Sequence, residues 1–254
     1  MRRTTAPRTA AHSHLIQTVR QRTIPARPIR SRTVAAWIAP FELSSTPYLP
    51  PRAVVVAGSL GGLRALEMIL RQIPREFPAP LLVAHHLSDE VPSYLAELLA
   101  SNTSMPVTWA THMAPLEAGH VYVGPPGRHV TVTASGHCRL DSRPRHNFVR
   151  PAGGLLFRSA ADCMGARTIA VVLSGRLDDG ALGAAAVRAA GGVVIAQELV
   201  TCAAEGMPRS AIRTGAVNFI LPPGVIGAAL VSLAMVPGAR EMFGAGVTRR
   251  PRAA

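Results

Sequence analysis

The stretch Val54-Val55-Val56-Ala57-Gly58-Ser59-Leu60-Gly61-Gly62 decides the fold. Three β-branched residues run into Gly-Ser-x-Gly-Gly, and a segment with helical periodicity, Leu63 to Leu70, follows. A short apolar run of this kind, ended by glycine, predicts a strand buried on both faces, as in parallel sheets covered by helices. The turn sets the Ser59 hydroxyl at the carboxyl end of that strand, and its glycines permit a sharp reversal and close approach of a ligand. The first N–H groups of the following helix are unpaired and suit a developing oxyanion. A turn of this composition equally serves as a phosphate cradle or a plain tight turn.

Outward from this turn, strands and helices alternate. Strands are predicted at Val54–Ala57, Leu81–His85, Val107–Ala110, His120–Val123, Ile169–Leu173 and Val193–Ala196. Helices are predicted at Leu63–Ile73 (ended by Pro74), Val91–Ala100, Leu155–Met164 and Ala181–Ala190, and a final helix and strand follow. A hairpin is predicted from Val130–Ala134 and His137–Asp141. The pattern implies an α/β fold: a doubly wound, mostly parallel sheet with helices on both faces and a β-hairpin insertion. Ligands on such sheets bind at the carboxyl ends of the strands.

Three domains of sequence follow. Residues 53–238 form the α/β domain. Residues 1–52 carry eight arginines up to position 50 against one acid, Glu42, and read as a basic, disordered extension. Residues 239–254 read as a loose tail. All 27 basic residues are arginine, so the net charge of +13 reflects a general bias in composition rather than a nucleic-acid site. With 4% aromatic residues and no basic stretch interleaved with stacking side chains, no nucleic-acid partner is expected. No apolar run reaches the ~18 residues of a spanning helix, so no membrane insertion is expected. Cys138, Cys163 and Cys202 are far apart and read as reduced thiols. No metal or organic cofactor is expected.

Reactive side chains stand at three predicted strand ends. The first strand ends at Ser59, the second at His85-His86, and the third runs into Ser174-Gly175-Arg176-Leu177-Asp178-Asp179-Gly180. Serine, histidine and aspartate on one rim are the parts of a nucleophile, its general base and the group that orients the base. Taken singly, the histidines also suit a polar loop, and Asp-Asp-Gly suits a helix N-cap. The chain order Ser…His…Asp differs from the Ser…Asp…His of α/β-hydrolases.

From about Ala53 to Val225 the sequence resembles the catalytic domain of the CheB chemotaxis protein-glutamate methylesterases. The resemblance rests on Ala57 to Gly62, His85-His86-Leu87, Ala118 through His129, Arg150-Pro151, Leu173 through Gly180, Ala196-Gln197 and Gly206-Met207-Pro208. It implies Ser59 as nucleophile, His86 as general base and Asp179 as the residue orienting it. Backbone N–H groups near Leu60 and Arg176 would hold the oxyanion. The implied reaction is hydrolysis of γ-glutamyl methyl esters on cytoplasmic helices of methylated chemoreceptors, or of another methylated signalling protein, with release of methanol and also glutamine deamidation. The implied location is cytoplasmic. The rival reading is a silent domain that keeps the scaffold and binds a partner in the cleft.

The sequence departs from the family pattern at Leu60, where a small hydroxylated residue is usual, and at Ala152, which lacks a serine hydroxyl. Arg176 and Leu177 replace the usual Met-Gly, which predicts a differently bent loop. The family's usual enzyme also carries a phosphoacceptor receiver domain, which residues 1–52, with their single acid, are not expected to form.

Overall fold

The computed structural model describes residues 52–88 and 92–239. The expected basic extension and loose tail, apart from Arg52 and Ala239, lie outside them.

The run that opens the domain forms β1 (Ala53–Gly58), buried at every residue. It is followed by α1 (Gly62–Leu70), β2 (Leu81–His85), α2 (Leu95–Ala100), β3 (Val107–Trp109) and β4 (Val121–Val123). Next come β5 (His129–Val132), β6 (Cys138–Asp141), α3 (Gly153–Met164), β7 (Thr168–Val172) and α4 (Ala181–Ala189). The chain continues through β8 (Val193–Gln197), α5 (Gly206–Arg213), β9 (Phe219–Leu221) and α6 (Pro223–Met235). Seven strands form one sheet in the order β3-β4-β2-β1-β7-β8-β9, every pairing parallel. The doubly wound fold is therefore as the sequence predicts, and the β5–β6 hairpin stands apart as an antiparallel pair.

Successive residues of a strand face opposite sides of the sheet, and each side has its own core. Val54, Val56, Leu81, Val83, Val171 and Ile195 pack under α1, α2 and α6. Val55, Ala57, Leu82, Ala84, Val172 and Val194 pack under α3, α4 and α5, with the hairpin residues Val130 and Val132. This two-sided burial is why the strand sequences are continuously apolar rather than alternating.

Several boundaries differ from the sequence reading. Helix α1 ends at Leu70, and tighter bonds from Gln72 N–H to Ile69 O and Ile73 N–H to Leu70 O lead into Pro74. Helix α2 begins at Leu95 rather than Val91; just before it, Ser93 Oγ accepts the Leu95 N–H.

The topology positions the site. The chain leaves β1 for β2 on one side, then returns to β7 on the other. The carboxyl end of β1 is thus the switch point where helices diverge and a crevice opens. The three strands with reactive ends are neighbours in the order β2-β1-β7.

Candidate active site

Ser59 is the first residue past β1, half-buried, in a turn held from both sides. Its N–H donates to Ser174 O at 2.9 Å, and its carbonyl accepts the Gly62 N–H at 2.8 Å. Gly61 closes the turn with φ 81°, in the left-handed region that glycine occupies without strain. A Cβ there would also lie 2.5 Å from Ala203 Cβ and 2.8 Å from Ser174 Oγ, so no larger residue fits.

The two histidines part at the end of β2. His86 Nε2 lies 2.7 Å from Asp179 Oδ2. Because a carboxylate only accepts, Nε2 carries the proton and Nδ1 is the free base nitrogen. The His86 N–H donates to Gly58 O at 3.0 Å, which ties the residue to the end of β1. His85 instead donates from Nδ1 to the His86 carbonyl at 3.1 Å, leaving its Nε2 buried without a partner. Burial lowers the pKa of His85, an effect the neighbouring carbonyl of His86 partly opposes. The His85 ring is thus engaged with the His86 backbone, and the ring bonded to Asp179 is that of His86.

Asp179 is buried, with 2% of its surface exposed. Oδ2 accepts the Gly153 N–H at 2.7 Å and Oδ1 the Gly154 N–H at 2.9 Å. Both donors belong to the first turn of α3, whose N–H groups have no intrahelical acceptor and whose dipole favours an anion. Burial is the largest influence on this carboxyl and raises its pKa. The hydrogen bonds from His86, Gly154 and Gly153 outweigh it, so the net pKa lies below the usual carboxylate value. The adjacent glycines admit the carboxylate: a Cβ on Gly153 would stand 2.3 Å from Ala57 Cβ and 3.3 Å from Asp179 Oδ2.

Sequence reasoning offered Asp178 and Asp179 as N-caps of the helix at Ala181. Gly180 occupies that position, no side chain caps the helix, and Asp179 serves the N-terminus of α3 instead. The Gly153-Gly154 pair was missed; two glycines opening a helix after Pro151-Ala152 are the signal that could have found it. Asp178 is exposed.

The three residues are therefore not joined equally. His86 and Asp179 form a hydrogen-bonded pair; among the described residues the Ser59 hydroxyl makes no hydrogen bond to either. Such contacts tighten when substrate binds. The rims do meet, because a Cβ on Gly175 would lie 2.9 Å from Ser59 Cβ. The N–H groups of Leu60 and Arg176 enter none of the hydrogen bonds among the described residues and remain open to a ligand.

The loop after β7 is held in an unusual backbone conformation. Leu177 adopts φ 64°, in the left-handed region that favours glycine. A leucine pays roughly 1–2 kcal/mol for that conformation. The tight fit fixes it: a Cβ on Gly206 would stand 2.6 Å from both Leu177 N and Leu177 O, so the backbone there is clamped against α5.

The thiols play no part in this site. Burial pushes Cys138 up to about 11 and, with Glu205 adding to it, Cys202 to about 11. All three cysteines are free. Among the described residues no cluster of three or more His, Cys, Asp or Glu side chains could hold a metal, and no helix is long and apolar enough to cross a membrane.

A serine at the switch point, beside a histidine bound to a buried aspartate, puts the molecule among α/β domains of serine-hydrolase architecture, with its own Ser-His-Asp chain order. Comparison narrows the class. The chain belongs to the CheB methylesterase family, whose model matches residues 54–230. It is 40% identical over 182 residues to protein-glutamate methylesterase FrzG of Myxococcus xanthus, covering 72% of this chain and 54% of that one. It is 42% identical over 180 residues to protein-glutamate methylesterase/protein-glutamine glutaminase 2 of Anaeromyxobacter dehalogenans, covering 71% of this chain and 52% of that one. The chain thus spans about half the length of the curated relatives it matches. The crystal structure of the Thermotoga maritima CheB methylesterase catalytic domain superposes with a TM-score of 0.69 at 36% identity, covering 73% of this chain and 100% of that one.

Proposed function

We propose that the protein is a serine carboxylesterase that removes methyl groups from γ-glutamyl methyl esters on cytoplasmic chemoreceptor helices, or on another methylated signalling protein, and releases methanol. It acts in the cytoplasm. The observation that carries this reading is the 2.7 Å bond between His86 and a buried, doubly cradled Asp179, on the strand end next to Ser59. An ionised carboxylate on the far side of the imidazole stabilises the imidazolium that general-base catalysis creates.

His86 Nδ1 takes the Ser59 proton as the serine oxygen attacks the ester carbonyl. The tetrahedral oxyanion receives the open N–H groups of Leu60 and Arg176, each such donor worth ~10²–10³ in rate. His86 returns the proton to the departing methoxide, giving methanol and an acyl-serine. Water, deprotonated by the same histidine, then releases glutamate. With glutamine in place of the ester the same sequence expels ammonia, an activity in keeping with relatives whose names pair methylesterase with glutaminase.

The test is methanol release from a methylated receptor fragment by the wild type and by Ser59→Ala. Release that depends on Ser59 supports the enzyme. Binding of the fragment without Ser59-dependent release supports the partner-binding alternative.

A further inference from the structure

The reading of Ser59 as a nucleophile makes the peptide after it an oxyanion donor, and the turn contains a device that aims that donor. Ser174 is fully buried at the end of β7. Its hydroxyl donates to Leu60 O at 2.7 Å and accepts the Ala204 N–H at 3.0 Å. Ala204 O, at 3.2 Å, is the weaker alternative for the single hydroxyl proton. The Ser174 carbonyl meanwhile accepts the Ser59 N–H. Its own N–H donates to the buried Gln197 Oε1 at 2.8 Å, and Gln197 Nε2 reaches Thr201 O at 3.0 Å and Thr201 Oγ1 at 3.2 Å.

The two peptide planes on either side of Leu60 are therefore both fixed. One is held through Ser59 O and the Gly62 N–H, the other through Leu60 O and the Ser174 hydroxyl. Planes held at their oxygens set the directions of the Leu60 and Gly61 N–H groups before any substrate arrives. Electrostatic catalysis depends on donors that need no reorganisation during reaction.

We propose that Ser174 is a positioning residue: its carbonyl holds the Ser59 N–H and its hydroxyl holds Leu60 O, and the Ser59–Leu60 peptide fixed between these two anchors keeps the Leu60 N–H aimed at the oxyanion. The role rests on Ser59 being the nucleophile, and it extends beyond the triad to a residue that never touches substrate.

Two rates test it. One is covalent labelling of Ser59 by a sulfonyl fluoride; the other is methanol release from a methyl-ester peptide. Ser174→Ala removes the hydroxyl and should slow labelling and lower kcat by roughly 10- to 100-fold, with KM within about twofold, because only transition-state stabilisation is lost. Ser174→Cys keeps the shape but donates weakly, and should fall between; it decides the matter alone if the alanine variant does not fold. Thr201→Val loosens the far end of the network without touching Leu60 and should leave both rates unchanged.

Wild-type rates in Ser174→Ala and Ser174→Cys overturn the proposal, as does an equal loss in Thr201→Val. Ser174-dependent labelling without methanol release would overturn the methylesterase reading and keep the positioning role. Methanol release with Ser174-independent rates would do the reverse. A wild-type Ser59 that does not label overturns both.

Discussion

The two sides of the site are built differently. On the Asp179 side the carboxylate is buried and paired: it accepts from His86, Gly153 and Gly154 inside a gap that only glycine leaves open. On the Ser59 side Leu60 and Leu177 are exposed, at 49% and 62%, and Leu177 sits in a strained conformation. The buried side handles charge, where an unpaired group is costly and each bond strong. In the proposed reaction the exposed side is the one that faces the substrate, and its backbone is fixed by Ser174, Gly61 and Gly206.

The contrast breaks most visibly at the proposed nucleophile and base. Ser59→Ala and His86→Ala should each cut ester turnover by roughly 10⁶-fold, read as methanol release at saturating peptide. Equal turnover in either variant would remove that residue from the reaction.

Next in size is the aspartate. Asp179→Asn should keep the fold and lower turnover by up to ~10⁴-fold, because an amide does not hold the imidazole in the required tautomer or stabilise its cation. Asp178→Asn, an exposed change one residue away, should cost far less. A larger loss in Asp178→Asn would reverse the assignment of the two acids.

The gap itself is sharpened by Gly153→Ala. The added methyl meets Ala57 at 2.3 Å, and the overpacking should destabilise the domain by about 1–3 kcal/mol in urea unfolding. Leu177→Gly tests the exposed side with the opposite sign. It relieves the left-handed strain and gives part of that back as unfolded-chain entropy, a net gain of about 0.5–1 kcal/mol. A loss on Leu177→Gly would mean that the leucine side chain holds the loop.

The smallest effect concerns pH. Burial lowers the pKa of His85 in the folded protein, so the unfolded chain binds that proton more readily. Its contribution to stability is whole above about pH 6.5 and is lost as pH falls towards the folded value. His85→Gln should flatten that part of the stability–pH curve in denaturant titrations between about pH 7.5 and about pH 5.5.

The sequence by itself determined the parallel α/β sheet. A strand covered on both faces must be apolar at every position, and Val54-Val55-Val56-Ala57 announces this without reference to any partner. It also marked the strand ends as the place for Ser59, the histidine pair and the aspartate pair, since glycine and polar residues stop such strands. Only the tertiary structure decided which histidine meets which acid. Alternation at the end of β2 sends His85 and His86 in different directions, but which direction leads to a carboxylate depends on a loop from a strand two places away in the sheet. The same holds for Gly153, Gly154 and Ser174. Their importance comes from atoms brought within 3 Å by residues 25 to 114 positions distant, and local pattern has no access to contacts made at that separation.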